Sequence, residues 1–208
     1  MALDSFVKIS AVTNLSDARY CAGMYVNLIG FDLDENSKNY TSPQKFNEIT
    51  GWLSGVDYVA EFKNTHPEKI LTLIQEYKGI NFIEIQEETH LRMLVNSSYG
   101  VIFKKELASE EDLDDLIAKA QFFKDFGVIL YLVSESLELK TSVNQKLKTL
   151  AATAEVLLGF GIEPETVRNL LTETGVKGIA LEGGEEIKPG LKDFDQLAEI
   201  LEALEIEE

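Results

Sequence analysis

The feature that most constrains this fold is a regular alternation of strand-like and helix-like patterns along the chain. Eight short apolar runs are each followed by a segment with helical periodicity. Ser109 caps one long amphipathic segment, and Pro164 opens another that ends at Gly175. Parallel strands alternate with helices in this way when both faces of a sheet are covered. The strands are expected at residues 6–9, 25–33, 57–62, 81–85, 99–103, 128–133, 155–158 and 176–181.

Eight strand–helix units are enough to close a parallel sheet into an α/β fold of the (β/α)8 TIM-barrel type with short loops. A chain of 208 residues leaves about 26 residues for each unit. The alternative is an open doubly wound sheet, which usually has fewer units and a glycine-rich first turn. Here the first turn, residues 10–13, contains no glycine, and no linker interrupts the alternation. We therefore expect one parallel eight-stranded barrel domain over residues 1–208.

The charge of the chain limits the partners that it can bind. Acidic residues outnumber basic ones by 36 to 19, which gives a formal net charge of −17 and disfavours nucleic acid and anionic membrane surfaces. No apolar run approaches the roughly 18 residues of a membrane span, and the N-terminus lacks a signal-peptide pattern. The one cysteine, Cys21, suits a reducing compartment. We expect a cytoplasmic protein that binds neither nucleic acid nor membrane.

Four segments, in order along the chain, are similar to motifs of a known enzyme family. Residues 7–18 match Lys-Ile-Cys-Gly-Leu-Thr-Asn with a following Asp-Ala, and residues 29–43 match Gly-Phe and Ser-x-Arg-Tyr-Val-Ser-Pro. Residues 159–167 match Ala-Gly-Gly-Leu-x-Pro-Glu-Asn-Val, and residues 186–193 match Glu-x-x-Pro-Gly-x-Lys-Asp. Because the four segments fall in register, the chain resembles the phosphoribosylanthranilate isomerase family.

This resemblance implies an Amadori rearrangement in tryptophan biosynthesis, in which a phosphoribosyl amine opens its ring and becomes an enol-amine ketose. The reaction needs an acid for the ring oxygen and a base for the adjacent carbon. In the family, the cysteine of the first motif is the base and an aspartate after the sixth strand is the acid. The arginine of the second motif faces the anthranilate carboxylate. We expect no cofactor and no metal here.

The residues at the catalytic positions differ from those of the family. Ser10 stands at the base position, and a serine hydroxyl is a poor base unless another group activates it. At the end of the sixth strand, Val133 or Ser134 takes the place of the acid. The next residue, Glu135, is therefore the candidate acid. The chain therefore has neither the cysteine base nor the aspartate acid of the family at these positions.

The ligand-binding positions are kept only in part. Asn39 replaces the arginine that faces the carboxylate, and Gln86 stands where the family has a histidine. Phe160 replaces a family glycine, and two carboxylates, Glu182 and Glu185, flank the eighth loop and would repel a phosphate. The alternative for the loop glycines is a purely structural role. The candidates for phosphate contact through their backbone are Gly159, Gly161, Gly183 and Gly184.

Three functions fit this pattern. The first is a phosphoribosylanthranilate isomerase-like protein whose own activity is very low or lost, with a phosphorylated sugar as its ligand. The second is a non-catalytic barrel that binds a phosphorylated ligand or a partner. The third is an isomerase or lyase of a related sugar phosphate that uses Glu84 and Glu135, although the sequence leaves open whether Glu84 faces the barrel interior. The oligomeric state, monomer or homodimer, is also left open.

Overall fold

Eight parallel strands close into a barrel in the computed structural model, which describes residues 2–182, 186–188, 191–192 and 195–206. The barrel closes between the first and last strands, which pair in parallel from Phe6 with Gly178 to Ser10 with Glu182. This confirms the predicted (β/α)8 barrel. The strands are β1 (Phe6–Ser10), β2 (Leu28–Asp32), β3 (Asp57–Glu61), β4 (Ile80–Ile85), β5 (Gly100–Glu106), β6 (Val128–Val133), β7 (Glu155–Leu158) and β8 (Gly178–Glu182).

Helices follow the strands and cover the outside of the barrel. They are α1 (Leu15–Gly23), α2 (Pro43–Thr50), α3 (Pro67–Leu73), α4 (Leu91–Leu94), α5 (Glu110–Ala118), α6 (Ala120–Asp125), α7 (Thr141–Ala151), α8 (Val167–Thr174) and α9 (Asp195–Ala203). Short 3-10 segments occupy Ile74–Glu76 and Glu88–His90, and β9 (Glu186–Lys188) pairs antiparallel with β10 (Leu191–Lys192). Within the described part of the chain, none of the helices has the length and apolar character to cross a bilayer.

Two predicted helices differ from those observed. The long segment after Ser109 is two helices, α5 and α6, because the backbone at Lys119 leaves the helical region with φ −102° and ψ 0°. The segment opened by Pro164 begins with a turn, so that α8 starts three residues later at Val167. The predicted end of that helix is confirmed, since Gly175 adopts φ 65° and donates its backbone N–H to Leu171.

The apolar residues of the strands form two separate cores, one between the strands and the helices and one inside the barrel. Residues that point outward pack against the helices, as where Phe31 of β2 meets Phe46 of α2 with ring centroids 4.9 Å apart. Residues that point inward fill the barrel itself, because successive side chains of a strand alternate between its faces. The inward-facing aliphatic residues are Leu28, Val59, Ile102, Ile129, Leu157 and Ala180, and all are buried. The interior of the barrel is therefore a packed core and not a pore.

Candidate active site

A cavity of about 690 Å³ opens at the carboxyl ends of the strands, where (β/α)8 barrels carry their active sites. We call it the mouth cavity. Its walls come from the ends of β3 to β8 and the residues that follow them. Three of the residues singled out from the sequence line it, namely Gln86, Glu135 and Gly159. The mouth cavity thus lies where the sequence predicted a site.

Below the mouth cavity, a fully buried lysine contacts two carboxylates inside the barrel. Lys8 of β1 has its Nζ atom 2.5 Å from Oε1 of Glu61 on β3 and 2.8 Å from Oε2 of Glu84 on β4. Burial by itself lowers the pKa of Lys8, but the attraction of Glu61 and Glu84 outweighs burial, and its pKa lies well above the usual range. Lys8 is therefore an ammonium at any physiological pH.

Ser10 is held by this ammonium. The Nζ atom of Lys8 donates a hydrogen bond to Ser10 Oγ at 2.5 Å, and Ser10 is 2% exposed. An ammonium has no lone pair and cannot take the proton of the hydroxyl. Lys8 therefore does not activate Ser10 as a base. The position that the family fills with a thiol is here part of a buried hydrogen-bonded cluster.

Glu61 is fixed by close backbone contacts on both sides. Its Oε2 accepts a hydrogen bond from the backbone N–H of Ala11 at 3.0 Å. Its Oε1 lies over Gly30 of β2, where a Cβ atom would stand only 1.9 Å away. Ala11 has φ 52°, a left-handed conformation that favours glycine, and the family motif has glycine at this position. The Glu61 side chain therefore depends on the absence of a side chain at Gly30.

Glu84 answers a question that the sequence left open, because it faces the barrel interior. It is 3% exposed, and its Oε2 accepts no hydrogen bond from the described residues although Lys8 lies at ion-pair distance. Burial raises the pKa of the Glu84 carboxyl, and Lys8 offsets this effect only in part. Glu84 is outside the set of residues that line the mouth cavity.

Tyr131 of β6 lies between this buried cluster and the mouth cavity. Its ring centroid is 5.2 Å from Nζ of Lys8 and 5.0 Å from Nζ of Lys104 on β5. Burial raises the pKa of Tyr131 to about 12 in spite of both lysines. Lys104 in turn pairs with Glu182 at the end of β8, with Nζ 3.1 Å from Oε1. A continuous series of charged and aromatic contacts thus links Glu61 to the mouth cavity.

The predicted acid position holds no carboxyl group on the strand itself. Val133 and Ser134 both line the mouth cavity, and the Ser134 hydroxyl donates to the carbonyl of Leu107 at 2.7 Å. Glu135 is exposed at the rim of the cavity. The predicted acid, Glu135, is therefore in contact with water.

The predicted ligand-binding residues are dispersed. Gln86 is half-buried in the cavity wall. Asn39 belongs to the loop between β2 and α2, where its backbone N–H donates to Ser37 Oγ at 3.2 Å, and it is absent from the cavity lining. Gly183 and Gly184 lie outside the described residues. The structure therefore brings Gln86 to the mouth cavity with Glu135, and leaves Asn39 apart from them.

Two of the loop glycines have packing roles that the structure makes explicit. A Cβ atom at Gly159 would lie 2.4 Å from Cε2 of Tyr131. A Cβ atom at Gly161 would lie 2.6 Å from Cδ1 of Leu139, and Gly161 also has φ 64°. Each glycine is required by its neighbours, whatever the site binds.

Sequence reasoning missed the residues at the centre of this arrangement, which are Lys8, Glu61, Lys104 and Tyr131. A signal for them was present, because charged residues at inward-facing positions of buried parallel strands must find partners. Lys8 interrupts the apolar strand β1, and Glu61 ends β3. The sequence alone does not show which strands supply these partners, because β1, β3 and β4 face one another only inside the closed barrel.

Comparison with known proteins agrees with the fold and the resemblance. The family model for N-(5'phosphoribosyl)anthranilate (PRA) isomerase matches residues 7–203. N-(5'-phosphoribosyl)anthranilate isomerase of Thermotoga petrophila is 25% identical over 195 residues, which is 92% of this chain and 94% of the relative.

Solved structures agree with the fold. A crystal structure of the Thermotoga maritima isomerase has a TM-score of 0.77 at 24% identity and covers 96% of this chain and 98% of its own. A structure of the isomerase in complex with reduced 1-(o-carboxyphenylamino)-1-deoxyribulose 5-phosphate has a TM-score of 0.75 at 24% identity, with the same coverage.

Fold and site together define a (β/α)8 barrel whose polar groups collect at the carboxyl ends of its strands. Within this class, the matched range of the family model covers nearly the whole chain. The chain belongs to the N-(5'phosphoribosyl)anthranilate isomerase family.

Proposed function

We propose that this family member performs the Amadori rearrangement very slowly or not at all, and that its mouth cavity binds a small organic anion. The observation that carries the proposal is the hydrogen bond from the Lys8 ammonium to Ser10, which leaves the base position without a proton acceptor of suitable pKa. The acid position supports the same conclusion, because Val133 has no ionisable group and Glu135 is at the exposed rim.

The alternative of a different isomerase or lyase that uses Glu84 and Glu135 has less support. A carboxylate must reach the proton that it transfers within hydrogen-bond distance. Glu84 is 3% exposed and outside the cavity lining, so a substrate in the mouth cavity does not reach it without rearrangement. The two carboxylates therefore do not form an acid–base pair around one ligand.

Growth on medium without tryptophan tests the proposal in a strain that lacks its own isomerase. We expect no growth with this chain and normal growth with the Thermotoga petrophila relative. General acid and base groups contribute about 10²–10⁴-fold each, so we expect purified protein to be slower than the relative by at least about 10⁴-fold. Robust growth, or a rate within about tenfold of the relative, would show that the proposal is wrong.

Ser10→Cys separates the loss of the base from the loss of the acid. A thiol beside the Lys8 ammonium should have a lowered pKa and be largely thiolate at neutral pH, which thiol absorbance at 240 nm measures. We still expect no isomerase activity from this variant, because no acid replaces the family aspartate. The matched variant Ser10→Cys with Val133→Asp supplies both groups, and any recovered rate should require the pair. Activity of Ser10→Cys alone would instead assign the acid role to another residue.

A further inference from the structure

Among the described residues, two lysines lie beside Tyr131, namely Lys8 and Lys104. Of these two, Lys104 is the one that lines the mouth cavity. The Lys104 side chain is 18% exposed. Its Nζ lies over the ring of Tyr131, 5.0 Å from the centroid. Lys8, the other cation beside Tyr131, is fully buried and held by two carboxylates. A ligand that enters the mouth cavity therefore meets Lys104 and not Lys8.

The carboxylate that now pairs with Lys104 is held loosely. Glu182 is the last residue of β8, and its side chain is 65% exposed. Ion pairs in which one partner is in water contribute little to stability, because hydration compensates for the lost contact. Lys104, by contrast, is fixed in the cavity wall. Replacement of the Glu182 carboxylate by another anion therefore costs the protein little stability. Lys104 still has a negatively charged partner after the exchange.

The charge of Lys104 persists in this setting. Burial by itself lowers the pKa of Lys104, but Tyr131, Glu84 and Glu182 together raise it above the usual range. A cation that is mostly buried needs a counter-charge. Of the other lysines that line the mouth cavity, Lys105 lies 3.8 Å from Asp112 and Lys63 is exposed. Lys104 is thus the best-placed anion-binding group among the described residues of the cavity.

The surroundings favour a carboxylate over a phosphate. Besides Glu182, three more carboxylates line the mouth cavity, namely Glu87, Glu106 and Glu135. They repel a phosphate dianion more strongly than a singly charged carboxylate. Glu182 itself already shows that a carboxylate oxygen fits at 3.1 Å from Nζ. The volume of about 690 Å³ is in the usual range for small-molecule sites.

We propose that Lys104 is the carboxylate-binding group of the mouth cavity, and that Glu182 occupies this position until the carboxylate of a small organic acid replaces it. This inference rests on the proposed ligand-binding role of the cavity and names the chemical class of the ligand. The half-buried side chain of Val133 lines the same cavity, so an aromatic acid gains an apolar contact that acetate lacks.

Titration of the full chain with benzoate, acetate and inorganic phosphate, at constant ionic strength, tests the proposal by isothermal calorimetry. We expect benzoate to bind more tightly than acetate and phosphate. Lys104→Met should weaken benzoate binding by at least about tenfold, because the cation is lost. Glu182→Gln should strengthen it by about two- to fivefold, because the competing carboxylate is lost.

Lys177→Met is the matched control, since Lys177 has the same surroundings at the other end of the barrel. Its Nζ lies 4.9 Å from the Phe6 ring centroid and 2.8 Å from Glu155 Oε1, with 28% of the side chain exposed. We expect it to bind benzoate like the unaltered protein. Circular dichroism of each variant confirms that it is folded.

Three results would overturn the inference: no benzoate binding even in Glu182→Gln, unchanged binding in Lys104→Met, or tighter binding of phosphate than of benzoate. A separate titration with reduced 1-(o-carboxyphenylamino)-1-deoxyribulose 5-phosphate distinguishes this failure from failure of the proposed function. If that compound binds equally to Lys104→Met and the unaltered chain, the mouth cavity binds an anion but Lys104 is not its partner. If neither this compound nor benzoate binds to the unaltered chain, the proposed ligand-binding role of the cavity is wrong as well.

Discussion

The two halves of the barrel interior are built from opposite chemistries. Toward the amino ends of the strands, the inward positions hold aliphatic residues such as Leu28, Ile102 and Ile129. Toward the carboxyl ends of β3 and β4, the inward positions hold Glu61 and Glu84, which meet Lys8 from β1. Aliphatic packing in the lower half stabilises the barrel, whereas the carboxyl ends of barrel strands carry the functional residues. The comparison indicates that the polar groups of the interior are concentrated toward the carboxyl ends of the strands.

Lys8→Met should give the largest effect of any single change in the interior. It leaves Glu61 and Glu84 buried without their cation, and breaking a buried ion pair in this way costs about 3–5 kcal/mol. Unfolding in urea at pH 7.5 measures the loss. Without Lys8, burial raises the folded-state pKa of Glu84 further above its unfolded value, so the variant should regain stability as the pH falls toward 5. A loss below 1 kcal/mol at pH 7.5 would contradict the ionic description of the upper half.

Ile129→Ala makes the corresponding change in the lower half. Ile129 is buried in the aliphatic interior, and removal of such a side chain costs about 2–4 kcal/mol through lost burial and the cavity left behind. No titratable group depends on it, so the loss should be equal at pH 5 and pH 7.5. A marked pH dependence of the loss would show that the two halves are coupled.

Glu84→Gln should give the smallest change at neutral pH and a clear change in pH dependence. The folded-state pKa of Glu84 is raised by burial, so the unaltered protein loses stability as the pH rises from about 4.5 through that raised value. Glutamine keeps the shape without the charge and leaves Lys8 paired with Glu61. We expect stability within about 1 kcal/mol of the unaltered protein at pH 7 and a flatter profile above pH 4.5. An unchanged slope would assign the titration to another group.

The fold was predictable because its signal is repeated eight times. The apolar runs located all eight strands, and Gly175 correctly ended the helix before β8. The break at Lys119 was not predictable, since the apolar periodicity of residues 113–123 continues through it. Local backbone geometry there depends on packing that the sequence pattern does not contain.

The position of the mouth cavity was predictable from the fold, but the residues at the centre of the buried cluster were not. Alignment with family motifs located Ser10, Gln86 and Glu135 at strand ends. Whether a strand residue points inward depends on a phase that changes with a shift of one residue, which is why the direction of Glu84 stayed open. The contact between Lys8 and Glu61 joins positions 53 residues apart and exists only because the barrel closes β1 near β3.

The carboxylate of Glu61 over Gly30 also constrains how this lineage can change. A side chain at position 30 requires Glu61 to move away first, because a Cβ atom there would stand 1.9 Å from its oxygen. Loss of Glu61 leaves Lys8 short of a counter-charge, so these three positions can be exchanged only in a restricted order. The three positions therefore form a linked set, in which a substitution at one is tolerated only after a matching change at another.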